Sequence, residues 1–142
     1  MSENFIEEAA KSIREQKNEE SRMIQLRSEI SNEKIEYEKL VEATKRDDIP
    51  QKELEAISEF KESFEIALTR KIGEIKPLLE KEIGMYEKDL NATENNLLKS
   101  SNPEASSTFK EQADYLNKKI ANLRQEIIDY QDILLGADSH ES

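Results

Sequence analysis

The stretch that decides the fold is FKEQADYLNKKIANLRQEIIDYQDILL, Phe109 to Leu135. Phe109, Ala113, Leu116, Ile120, Leu123, Ile127, Tyr130 and Leu134 alternate in steps of four and three. That is the heptad spacing of a helix burying one narrow seam against another helix. Upstream, Ile72, Lys76, Leu79, Ile83, Tyr86, Leu90, Thr93 and Leu97 repeat the same spacing. Between the two lies SSNPEASS, residues 100–107, the clearest loop signal in the chain. Folded back around that loop, the two seams face each other. Leu97 meets Phe109, Tyr86 meets Ile120, Ile83 meets Leu123 and Leu79 meets Ile127.

Farther upstream, Asp47-Asp48-Ile49-Pro50 breaks the helical pattern. Pro50 disfavours helix at Ile49, and Asp48 with Gln51 three residues on has capping-box spacing. A second hairpin follows. In a level pairing, Leu40 faces Leu54, Tyr37 faces Ile57, Ile30 faces Phe64 and Leu26 faces Leu68. The layers between are mixed: Glu33 faces Lys61, and Met23 faces Lys71. Charged layers weaken a seam but can fix its register.

The fold class expected is therefore all-α: an elongated antiparallel coiled coil or three-helix bundle with a kinked central helix. The helices are expected at about 3–46, 50–99 and 108–135. Ser2 or Asn4 caps the first, Asn4 with Glu7 having the box spacing, and Thr108 with Glu111 caps the third. Gly136 supplies a C-terminal stop, leaving 137–142 as a disordered acidic tail, so that 1–136 forms a single elongated domain. Pro77 interrupts the second helix. It lacks an N–H and presses on the carbonyl of Gly73, so one kinked helix is expected there rather than two. A first helix of this length would span about 66 Å at 1.5 Å per residue.

Composition supports this architecture and narrows the function. Charged residues make up 37% of the 142 and apolar ones 35%, with three Gly and three Pro. Such a chain buries stripes rather than a thick core. The formal net charge is −11, and acids outnumber bases in each third of the sequence. With no basic stripe, binding to a nucleic-acid backbone or to an anionic membrane is not expected. There is no Cys, which removes disulfides and thiol chemistry. No apolar run approaches the roughly 20 residues of a membrane span, and none at the N-terminus resembles a signal peptide. A soluble intracellular protein, cytoplasmic or nuclear, is expected.

No chemistry-bearing motif is present. The single histidine is His140, so neither a structural zinc site nor a Glu-x-x-His di-iron site can be assembled. No nucleophile has a positioned base, and no phosphate-cradling glycine loop or EF-hand loop occurs. No catalytic, cofactor or metal residue is nominated. The four tyrosines fall mostly on seams or their flanks.

What remains is protein binding. Phe5, Ile6, Ala9, Ala10 and Ile13 give the N-terminal segment an apolar face, set off by a polar run from Arg14 to Arg22. Either this face packs alongside residues 81–89 or it stands free for a partner. Ile24, Ile35, Phe60 and Ile66 lie off the first hairpin's seam. The candidate partner-binding residues are therefore Phe5, Ile6, Ala9, Ile13, Ile24, Ile35, Phe60 and Ile66.

The segment Lys71–Leu135 resembles tubulin-binding cofactor A through MYEKDL at Met85–Leu90, KEQADYL at Lys110–Leu116 and the stretch Gln131–Leu135. The family's spacing after the second piece is longer, and its third helix follows this hairpin rather than preceding it. The resemblance implies a helical chaperone that holds a client such as tubulin. The residues themselves point first to a non-enzymatic coiled-coil adaptor or scaffold subunit, joined to other chains by helix–helix packing as a homo- or hetero-oligomer. A third reading is an acidic decoy or inhibitor of a basic protein surface.

Overall fold

A computed structural model describes residues 3–141, with side chains described for 4–136. It consists of three α-helices and no strand among the described residues: α1 Glu3–Ala43, α2 Gln51–Lys99 and α3 Pro103–Glu141. The protein is all-α, as the heptads require. Internal contacts divide it into two compact units, the first ending at Ile75 and the second beginning at Lys76.

The first unit is a hairpin of α1 with the front of α2. Met23, Leu26, Ile30 and Tyr37 are buried on α1, and Leu68, Ile72 and Ile75 on α2. Toward the connection the seam thins, and Leu40, Leu54, Ile57 and Phe64 are only half-buried. The charged positions take partners inside the seam. Lys71, a seam position on α2, pairs with Glu33 and with Glu29, the latter at 3.5 Å. The Tyr37 hydroxyl donates to Glu65 at 2.8 Å in buried surroundings. Both reach farther along α2 than the level pairing placed them, Tyr37 beyond Ile57 and Glu33 beyond Lys61. Side chains of each helix lean toward that helix's own N-terminus. In an antiparallel pair this displaces long-chain contacts in the observed sense.

The second unit joins the rest of α2 to α3. Leu79, Ile83 and Thr93 are buried on one side and Ile120 and Leu123 on the other. Arg124 reaches Glu87 at 3.1 Å, displaced in the same sense. All sixteen heptad positions read from the sequence on α2 and α3 are buried or half-buried.

Five helix ends differ from expectation in position or in cap. α1 stops at Ala43, where its last turn tightens: Thr44 donates its N–H to both Leu40 and Val41, and its hydroxyl bonds the Val41 carbonyl at 2.6 Å. Asn4 lies inside α1, so it does not cap it. At α2 the Pro50 carbonyl, not the Asp48 side chain, opens the helix, accepting from Glu53 and Leu54 at 3.0 and 3.1 Å. At α3 the loop shrinks to residues 100–102. The Asn102 side chain accepts from the Glu104 N–H at 3.0 Å and its carbonyl from Ser106 at 2.9 Å, with Pro103 in the first helical position. Thr108 sits in the helix interior, its hydroxyl bonded back to the Glu104 carbonyl at 3.1 Å.

At its other end α3 runs through Gly136 to Glu141, so residues 137–141 are helical rather than a disordered tail, and Ser142 lies outside the described residues. Gly136 does not adopt the left-handed conformation that ends a helix. α2 is continuous through Pro77. The buried line around that point also differs: Ile75 is fully buried, whereas Lys76, the residue read as seam, is half-buried.

Candidate protein-binding surface

The candidate residues are set by the helices that carry them. On α1 the spacing of Phe5, Ile6, Ala9 and Ile13 gathers them within about a third of the helix circumference at 100° per residue. α1 does not bury that face. Phe5 is 72% and Ile6 69% exposed, and Ile13 and Ala9 are exposed as well. Between Asn4 and Asn18 only Ala10 is even half-buried. These turns stand in solvent on nearly all sides, and burial on α1 begins in earnest at Met23.

Ile24, Ile35, Phe60 and Ile66 are all exposed in the first unit. They do not form one patch. Ile13, Ile24 and Ile35 recur every eleven residues, close to three whole turns, so they make a sparse row along α1. Phe60 flanks the α2 seam, whereas Ile66 points away from it among Glu55, Glu59 and Glu62, which share its bearing on α2.

Sequence reasoning missed the second unit's exposed apolar residues. Leu98 is 84% exposed, and Met85, Tyr115, Ile128 and Leu135 are exposed too. A signal existed for three of them. Leu97-Leu98, Ile127-Ile128 and Leu134-Leu135 are apolar doublets, and a heptad seam can take only one member of each.

The polar surroundings are mostly ordinary ion pairs. Arg22 and Glu74 make a two-pronged pair, with Nε to Oε1 at 2.7 Å and Nη2 to Oε2 at 2.8 Å. The Arg22 hydrogen bond holds the Glu74 carboxyl below its usual value of 4.5. The same bond raises Arg22. One buried carboxylate oxygen on each of Glu33 and Glu82 has no hydrogen-bond partner.

The surface carries open depressions, two of which bear on this question. One lies on the C-terminal turns of α1 beside Ile35, between Glu38, Lys39, Glu42 and Arg46. The other is the groove of the second hairpin, walled by Asp89, Thr93, Glu111 and Tyr115. Lys119 stands 5.6 Å from the Tyr115 ring centre, a cation–π contact. Among the described residues no cluster of three or more His, Cys, Asp or Glu is placed to hold a metal ion. Among them, too, no helix is long and apolar enough to cross a membrane.

No protein-family model, no curated protein and no solved structure matches the chain. The likeness to tubulin-binding cofactor A gains no support from them.

Proposed function

We propose that this protein is a non-enzymatic coiled-coil adaptor or scaffold subunit that docks other protein chains, with the apolar face of the first turns of α1 as a docking element. One observation carries the reading. Phe5, Ile6, Ala9 and Ile13 share one exposed face of a helix on which, from Asn4 to Asn18, only Ala10 is even half-buried. Helices in water gain most of their stability by packing such a face. A grouped, exposed apolar face is also how amphipathic helices present themselves to grooves and to other helices. The surrounding architecture agrees, since both hairpins are built on heptad seams. The setting we expect is cytoplasmic or nuclear.

The test is a paired substitution, Phe5→Ser with Ile13→Ser. Both side chains are exposed, so thermal unfolding should stay within about 0.5 kcal/mol of wild type. Co-purification from native extract, quantified against wild type, should lose the partners that depend on this face. A variant that retains every wild-type partner at undiminished yield would overturn the assignment.

A further inference from the structure

We propose that two polar layers in the first hairpin, Glu33 and Glu29 with Lys71 and Tyr37 with Glu65, select the one register in which α1 lies against α2. Lys71 pairs with both carboxylates, at 3.5 Å for Glu29, and the Tyr37 hydroxyl donates to the buried Glu65 at 2.8 Å. Each layer ties a particular residue of α1 to a particular residue of α2. Apolar neighbours such as Leu26, Ile30 and Leu68 pack without naming a partner. Heptad spacing repeats, so α1 shifted by seven residues, about 10.5 Å, again turns apolar side chains toward α2. The connection between the helices, residues 44–50, can follow such a shift, since an extended chain covers about 3.3 Å per residue. Near it the seam is thin, with Leu40, Leu54, Ile57 and Phe64 only half-buried.

The polar layers penalise the shift in both directions. One direction replaces Glu33 and Glu29 by Leu26 and Arg22 opposite Lys71, and Tyr37 by Ile30 opposite Glu65. A sheltered ammonium then meets a like charge, and a buried carboxylate loses its donor. The other direction leaves Lys71 one carboxylate, Glu36 in the place of Glu29. It also carries Glu33 into the place of the fully buried Leu26. Glu29 then stands where Arg22 now pairs with Glu74, acid beside acid. Stripping a sheltered charge of its partner costs far more than exchanging one apolar contact for another. Polar positions inside a coiled-coil seam specify register in this way, at a cost in stability. The buried Glu33 oxygen without a hydrogen-bond partner is part of that cost here.

Pulsed electron paramagnetic resonance on the full chain tests this. The sequence has no Cys, so Ser31→Cys on α1 and Lys52→Cys on α2, both at exposed positions, carry the only spin labels. Labelled protein is diluted with unlabelled protein, so that distances within one chain are read. With the polar layers intact, a single distance is expected. In the quadruple variant Glu33→Leu, Tyr37→Phe, Glu65→Leu and Lys71→Leu, a second distance should join it, displaced by up to about 10 Å, with helix content retained. If the quadruple variant does not fold, Glu33→Leu with Lys71→Leu decides in its place. A single unchanged distance in the deciding variant would overturn the proposal, because apolar packing and the connection would then suffice. Two distances with the polar layers intact would overturn it as well. So would failure of both variants to fold, since the layers would then be needed for folding itself rather than for the choice of register.

Discussion

At the scale of single residues, the charged positions in the first hairpin are the informative ones. Lys71 is 14% exposed and Glu33 18% at the side chain, so their pairing is largely out of water. One Glu33 oxygen is already without a hydrogen-bond partner. Removing only the lysine leaves a sheltered carboxylate without its charge partner. Lys71→Met should therefore destabilise the protein by about 2–3 kcal/mol in urea unfolding. Replacing both partners, Glu33→Leu with Lys71→Leu, should recover most of that loss, because a well-packed apolar layer can match a buried ion pair. Glu74 gives a prediction in pH. Its folded carboxyl titrates below 4.5 because Arg22 donates to it, so the unfolded chain takes up its proton first as pH falls. The stabilisation is present above about pH 4.5 and disappears as pH drops through the lower folded value. Between pH 5 and pH 3 the wild-type melting temperature should fall more steeply than that of Glu74→Gln. Parallel curves would show that this pair contributes nothing.

At the scale of elements, the ends of the helices follow local chemistry that was only partly readable. Asn102-Pro103 was legible as a turn, but the same pair is also an N-cap followed by a favoured first helical residue. Gly136 was legible as a stop, yet a glycine ends a helix only when its backbone goes left-handed, and this one does not. Inside α2, nothing beyond the helix's own nearby backbone and the adjoining residues lies within 4 Å of where a Cβ on Gly84 would stand. Gly84→Ala should thus stabilise α2 by about 1 kcal/mol, read as a higher urea midpoint with unchanged slope. No gain would mean that Gly84 costs α2 no more than alanine does at this position.

At the scale of the whole molecule, α2 contributes buried residues to both seams: Leu68, Ile72 and Ile75 in the first unit, Leu79 and Ile83 in the second. The large apolar residues left outside it include Phe5, Ile6 and Ile13 at the first turns of α1, Ile24, Ile35, Phe60 and Ile66 in the first unit, and Met85, Leu98, Tyr115, Ile128 and Leu135 in the second. This division makes the surface variants useful, since Phe5 and Ile13 can be changed without touching any buried residue.

The sequence by itself determined that the protein is all-α, with three helices, two antiparallel hairpins and their seam residues. Apolar residues at heptad spacing can be buried together only on a helix paired with a helix, and a loop of fixed length permits few registers. The tertiary structure alone decided three other matters. Ile75 rather than Lys76 is buried, because the face presented near the unit boundary depends on how far α2 has turned by that point. Lys71 meets Glu33 and Glu29, because side-chain lean displaces contacts along an antiparallel pair. The face of Phe5, Ile6, Ala9 and Ile13 is left open, because heptad spacing specifies that a face is apolar but not whether anything arrives to cover it.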